Sequence, residues 1–233
     1  MENERLREAF NSAQSLLGKS FFVKAEFKKY AGLKARAELK EGKIIARVSD
    51  GFENAEREVL VGLALTLLGG LFKKKIDNAY TKAYKEFSTR ETTSSFHDSL
   101  RKLRGRKTER ESLGEAHDLL AIRESLFTRY GDILGELVPR PSIGWTEGES
   151  KRVLGFHDGA FNSIAISNAL DGEMVPRFVV EYVVYHELLH CKHKVLFQRG
   201  ESMRRTVHPK EFRDDEKKFV LADKAEQWIQ RNL

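Results

Sequence analysis

The run Pro176-Arg-Phe-Val-Val-Glu-Tyr-Val-Val-Tyr-His-Glu-Leu-Leu-His190 decides how this chain is read. Its mostly apolar approach predicts a buried helix, with Pro176 near the first turn, where a missing N–H costs nothing. Residues four apart on a helix share a face, so His186 and His190 can reach one ion, at about 2.0–2.1 Å each. Glu187 lies three residues before His190 on that side. It is placed to take a proton from water at the metal, not to bind the metal itself. The bland alternative is a pair of histidines on a helix face that hold nothing. The context speaks against it, because three short strand candidates precede the motif.

A catalytic zinc normally has three protein ligands and one open position. The third ligand is expected at His208. It precedes Pro209-Lys-Glu-Phe212, which reads as a helix start, and the Gly200 region lets the chain fold back. His193, one turn further along the motif helix, and Glu216, one helical face on from His208, are the competitors. A polar helix cap is the other reading of His208. A second donor to the developing oxyanion is expected, with Tyr182, Tyr185 and His157 as candidates. The strand near Ile164 to Ser167 is read as an exposed edge that could pair with an extended substrate.

Outward from the motif, the chain reads as α+β. Apolar residues at Leu6, Phe10, Ala13, Leu16 and Leu17 predict a first helix. Phe21 to Val48 alternates and is broken near Gly32 and at Glu41-Gly42, which predicts a half-buried β-meander. A long helix is expected over Asn54 to Phe72, and a polar helical stretch over 77–110 that Gly105 breaks. An amphipathic helix is expected over Leu113 to Ile133, and Pro139 and Pro141 then stop helical structure. Ser142 to Thr146, Val153 to Phe156 and Ser163 to Ser167 are the strand candidates. A last helix over Asp223 to Gln230 packs Ala225 and Trp228. Two regions result: 1–112, an N-terminal α/β region with a basic helical segment, and 113–233, the part that carries the chemistry.

Composition narrows the classes. Of 233 residues, 40% are hydrophobic, which excludes disorder throughout. The net charge of +6 is concentrated: residues 73–110 hold twelve Lys or Arg against five Asp or Glu. Such a stretch either attracts a polyanion such as DNA or is simply a solvated basic helix pair. One cysteine, Cys191, excludes an intramolecular disulfide and suggests a reducing compartment. Its side chain points about 100° off the ligand row and is read as a small buried hydrophobe. The charged N-terminus does not read as a secretory signal. The apolar run Val59 to Phe72 has 14 residues, too few to span a bilayer. A cytoplasmic protein is expected. Trp145, Phe156 and Trp228 are read as core, and His97 and His117 as solvated.

The C-terminal half resembles the SprT-like zinc metallopeptidases. The resemblance runs through Leu126-Phe-Thr-Arg-Tyr130, Pro141-Ser-Ile-Gly-Trp145, Leu154-Gly155, Ile164-Ala-Ile-Ser167 and Leu170-Asp171. It ends in the motif helix and His208-Pro-Lys-Glu-Phe212. Tyr30-Ala-Gly-Leu33, Val48-Ser-Asp50 and Glu58-Val-Leu60 resemble an N-terminal region of bacterial and archaeal relatives. The resemblance implies a small zincin fold, a short antiparallel or mixed sheet packed on the motif helix, and a downstream histidine as third zinc ligand, here His208. It implies hydrolysis of peptide bonds in a protein or peptide substrate. Some relatives act on proteins crosslinked to DNA and carry a separate, cysteine-rich DNA-binding module. A chain with one cysteine cannot build that module, so a DNA partner would rest on residues 73–110. A third reading is a metal-bound interaction module without turnover.

Overall fold

The computed structural model describes residues 3–74, 76–193, 196–198, 204–206 and 208–233. It is mixed α+β with small mixed sheets, in two compact units, one up to Arg106 and the other from Lys107 onward. The second unit starts ahead of residue 113 because the segment before it pairs with the sheet. Arg110 N–H donates to the Trp145 carbonyl (2.8 Å), and Trp145 N–H donates to the Glu111 carbonyl (3.1 Å). No helix among the described residues is long and apolar enough to cross a membrane.

In the first unit, α1 (Glu4–Leu16) is followed by β1 (Phe22–Lys28), β2 (Ala35–Lys40) and β3 (Lys43–Ser49). The sheet order is β1-β3-β2, with β1 parallel and β2 antiparallel to β3. The expected meander is therefore corrected. The most apolar strand, β3, takes the centre, and the polar β2 takes an edge, where only one neighbour is needed. Val23, Ala25, Ile44, Ala46 and Val48 face a core shared with α1 and with α2 (Arg57–Leu71). Gly62 of α2 lets the next helix approach closely: a Cβ there would lie 2.0 Å from the Tyr80 carbonyl oxygen. The polar stretch forms two helices, α3 (Ala79–Thr89) and α4 (Glu91–Arg104), with Gly105 at the end. His97 is not simply solvated. It is half-buried, and its Nδ1 accepts from the Leu33 N–H at 3.1 Å.

The second unit opens with α5 (Leu119–Arg129) and the single turn α6 (Gly131–Leu134). The expected start at Leu113 fails because the Asp171 carboxylate captures the N–H groups of Glu115, Ala116 and His117. Asp118 then caps α5 by accepting from Leu120 and Ala121. His117 therefore lies in a loop, with its Nε2 3.0 Å from the Val175 carbonyl, and is not a solvated helix residue.

β4 (Ser142–Trp145), β5 (Gly155–Asp158) and β6 (Ser163–Ile166) form a sheet of order β4-β6-β5. The reading of Ile164 to Ser167 as an exposed edge is overturned, since β6 is central and wholly buried. β5 is an edge strand, and it begins two residues later than expected because Ser150 to Val153 form a turn held by the Ser150 and Ser167 hydroxyls. The motif helix, α7 (Arg177–Lys192), lies beside this sheet, and Val179, Val180, Val184, Leu188 and Leu189 are buried in the core that it shares with β4 and β6. β7 (Leu196–Gln198) and β8 (Arg204–Thr206) pair antiparallel, and α8 (Lys210–Glu216) and α9 (Ala222–Asn232) come after them in the chain. Trp145 and Ala225 are core, as read, whereas Phe156 and Trp228 are only half-buried.

Asp215 ties α8 to α7. Its carboxylate accepts from Lys192 Nζ (3.0 Å), His193 Nε2 (2.9 Å) and Lys218 Nζ (2.8 Å), while its carbonyl accepts from the buried Tyr185 hydroxyl (2.8 Å). Burial alone would raise the carboxyl pKa. The hydrogen bonds outweigh it and hold the group at about 2. A depressed carboxyl stabilises the fold above its unfolded pKa and loses that contribution as pH falls through its folded pKa. Asp215→Asn should cost about 1–3 kcal/mol at neutral pH, measured by urea unfolding. The difference from wild type should shrink as pH falls from about 4 toward 2.

Candidate metal centre

Helix α7 is buried on most of its circumference, so His186 and His190 open only toward one cleft. Their Nε2 atoms lie 3.1 Å apart, and His208 Nε2 lies 3.1 Å from His190 Nε2. The ligand atoms of all three histidines fall within 4.8 Å of one another. Two nitrogens bound tetrahedrally at the ordinary zinc distance are about 3.3 Å apart. Three ring nitrogens this close together suit a cation between them. Bare lone pairs facing each other would repel. The three histidines are close enough to bind a metal ion.

Phe212 forms the apolar floor. It is fully buried, and its ring centroid is 5.1, 4.7 and 4.6 Å from those of His186, His190 and His208. It follows His208 by four residues, so the first turn of α8 both seats the floor and brings the histidine over it. The position before α8 is Pro209, which makes no side-chain cap, and His208 is drawn into the cluster instead.

The two competitors for the third ligand have other tasks. His193 is held by Asp215, away from the cluster. Glu216 accepts from His186 Nδ1 at 2.6 Å. That partner places the proton on Nδ1 and leaves the Nε2 lone pair for a cation. Burial raises the Glu216 carboxyl, but the hydrogen bond and charge of His186, the Tyr182 hydroxyl and His208 together outweigh it and lower its pKa. Tyr182 donates its hydroxyl toward Glu226 (2.8 Å) and Glu216 (3.2 Å), linking α9 to this pair. Sequence spacing showed that Glu216 was near. Its role as an orienting partner depends on how α8 docks, which no local pattern encodes.

Burial drives His190 down to about 4, helped by His186, His208 and His157, so its ring is neutral and able to ligate at pH 7. Glu187 is 5% exposed. Burial raises its carboxyl to about 7, against the opposing pull of His186. It lies beside β5, where a Cβ on Gly155 would stand 2.8 Å from its Cγ and 2.9 Å from Oε1. The cleft, about 640 Å³, is lined by Arg152 to His157 on one side and by Tyr182, Val183, the three histidines and Ile229 on the other. Of the oxyanion candidates, Tyr182 and His157 line it. Tyr185 does not: it is fully buried and donates to the Asp215 carbonyl. Cys191 donates to the Glu187 carbonyl (3.4 Å), and burial pushes its thiol up to about 12.

His208→Ala should abolish stoichiometric metal binding. Glu216→Ala should keep the three ligands yet weaken the metal roughly 10- to 100-fold, read by competition with a chromogenic chelator. Unchanged affinity in the second variant would remove Glu216 from its orienting role. Neither models of known protein families, curated proteins nor solved structures give a match to this chain.

Proposed function

We propose that this chain is a zinc-dependent metallopeptidase of the zincin type that hydrolyses peptide bonds in peptides or unfolded proteins. The observation that carries the reading is the convergence of three histidine nitrogens beside a buried carboxylate on one wall of a cleft. The likeness to SprT-like peptidases, with a short mixed sheet beside the motif helix and a downstream histidine, supports it. Zinc is the favoured metal because imidazole suits it and because three protein ligands with a fourth position left over mark catalytic zinc sites. A structural site normally fills that position with protein. Among the described residues the cluster has three members.

When bound, zinc supplies Lewis acidity, polarising the scissile carbonyl and bringing the pKa of water toward 7. Glu187 accepts the proton of the attacking water and passes it to the leaving amine. Its raised pKa suits both halves of that task, because a group that titrates near the working pH can take a proton and release it. The substrate lies in the cleft beside β5, where Gly155 and Phe156 form the wall. His157, on the same strand, is the proposed second donor to the oxyanion. Tyr182 is assigned instead to holding Glu216.

Glu187→Gln should lower hydrolysis of unfolded casein by about 10²-fold or more with metal stoichiometry unchanged. Retained turnover would remove Glu187 from its role. Chelation should silence the wild type, and added zinc should restore it. Gly155→Ala should displace the Glu187 carboxylate, lowering kcat while metal affinity stays within about twofold.

A further inference from the structure

We infer that the open face of the N-terminal sheet binds single-stranded nucleic acid. The register places Phe22, Lys24, Glu26 and Lys28 of β1 on the same face as Lys43, Ile45 and Arg47 of β3 and Arg36, Glu38 and Lys40 of β2. The opposite face is buried against α1 and α2, and this one is not. It carries six cations against two carboxylates. Those two are committed to Arg47 and Lys28: Arg47 lies 3.1 Å from Glu38 and 3.6 Å from Glu26, and Lys28 lies 3.4 Å from Glu26.

Among the described residues, Lys24, Arg36, Lys40 and Lys43 make no ion pair, so four positive charges stand unneutralised on this face. Phe22 is 61% exposed among them, with Lys43 Nζ 5.9 Å from its ring centroid. An exposed aromatic flanked by cations is what a stacked base with neighbouring phosphates requires. An acidic polypeptide would use the charges but not the ring. A duplex buries its base faces and would not use it either. Its residues are other than those of the histidine cluster and of the basic stretch at 73–110.

The test uses the full chain and fluorescently labelled oligo(dT), followed by anisotropy. Binding should weaken with salt with a log–log slope of about −3, the value for four phosphate contacts on a single strand. Lys24→Glu/Lys43→Glu should weaken binding at least tenfold with an unchanged Tm. Lys82→Glu/Lys102→Glu, the same charge change on α3 and α4, should weaken it less than threefold. Phe22→Ala should cost at least about fivefold on the single strand and nothing on a duplex of equal length. The inference is overturned if the Lys82/Lys102 variant loses as much as the sheet variant. It is also overturned if Phe22→Ala is neutral, or if polyglutamate or anionic vesicles compete as well as unlabelled oligo(dT).

Discussion

The docking of α8 onto α7 is the contact on which the three-histidine cluster depends. Helix α7 alone supplies two imidazoles one turn apart. Everything else arrives with α8: the third imidazole just before it, the aromatic floor at Phe212, and the carboxylate that orients His186. The docking itself combines a fully buried Phe212 with the charged bracket at Asp215. The aromatic cluster of Tyr130, Tyr182, Tyr185 and Phe219 backs it, with neighbouring centroids 4.8 to 5.8 Å apart. Apolar burial supplies the attraction, and the hydrogen-bonded ion cluster selects one seating.

The electrostatics follow from where each group lies in that seam. Glu187 has no cationic partner beyond its neighbouring histidine, so desolvation wins and its proton is held more tightly. Asp215 accepts from two lysines and an imidazole, so hydrogen bonding wins and the proton is lost. Glu216 is lowered too, its burial outweighed by His186, the Tyr182 hydroxyl and His208 together. Burial and partners thus set the protonation tendencies of Glu187, Asp215 and Glu216 without any unusual backbone.

What was legible in the sequence was what short-range periodicity encodes. The pairing of His186 with His190, and the place of Glu187 beside them, follow from helical spacing. The apolar run after Val59 gave α2, and Gly105 ended α4. His208 was legible because Pro209 announced a new helix and the Gly200 region let the chain fold back. Strand order was not legible, since period-two alternation says which face is buried but not which strand takes the centre. The meander expected over Phe21 to Val48 and the edge expected at Ile164 both failed on that point. The start of α5 failed for a similar reason: the Asp171 carboxylate that restrains residues 115–117 lies more than fifty positions away. Zinc as the metal and peptide hydrolysis remain the reading that these residues support best.

Adjacent positions on α8 serve unlike ends, Asp215 facing the anchor and Glu216 facing an imidazole. One residue of slippage along a helix turns a side chain by about 100°. An insertion or deletion between Pro209 and Glu216 would therefore swing both carboxylates off their targets at once. The length of that segment is under tighter constraint than the identities of its solvent-facing residues, such as Glu211 and Asp214. Drift in this stretch has room to proceed by replacement and almost none to proceed by change of length.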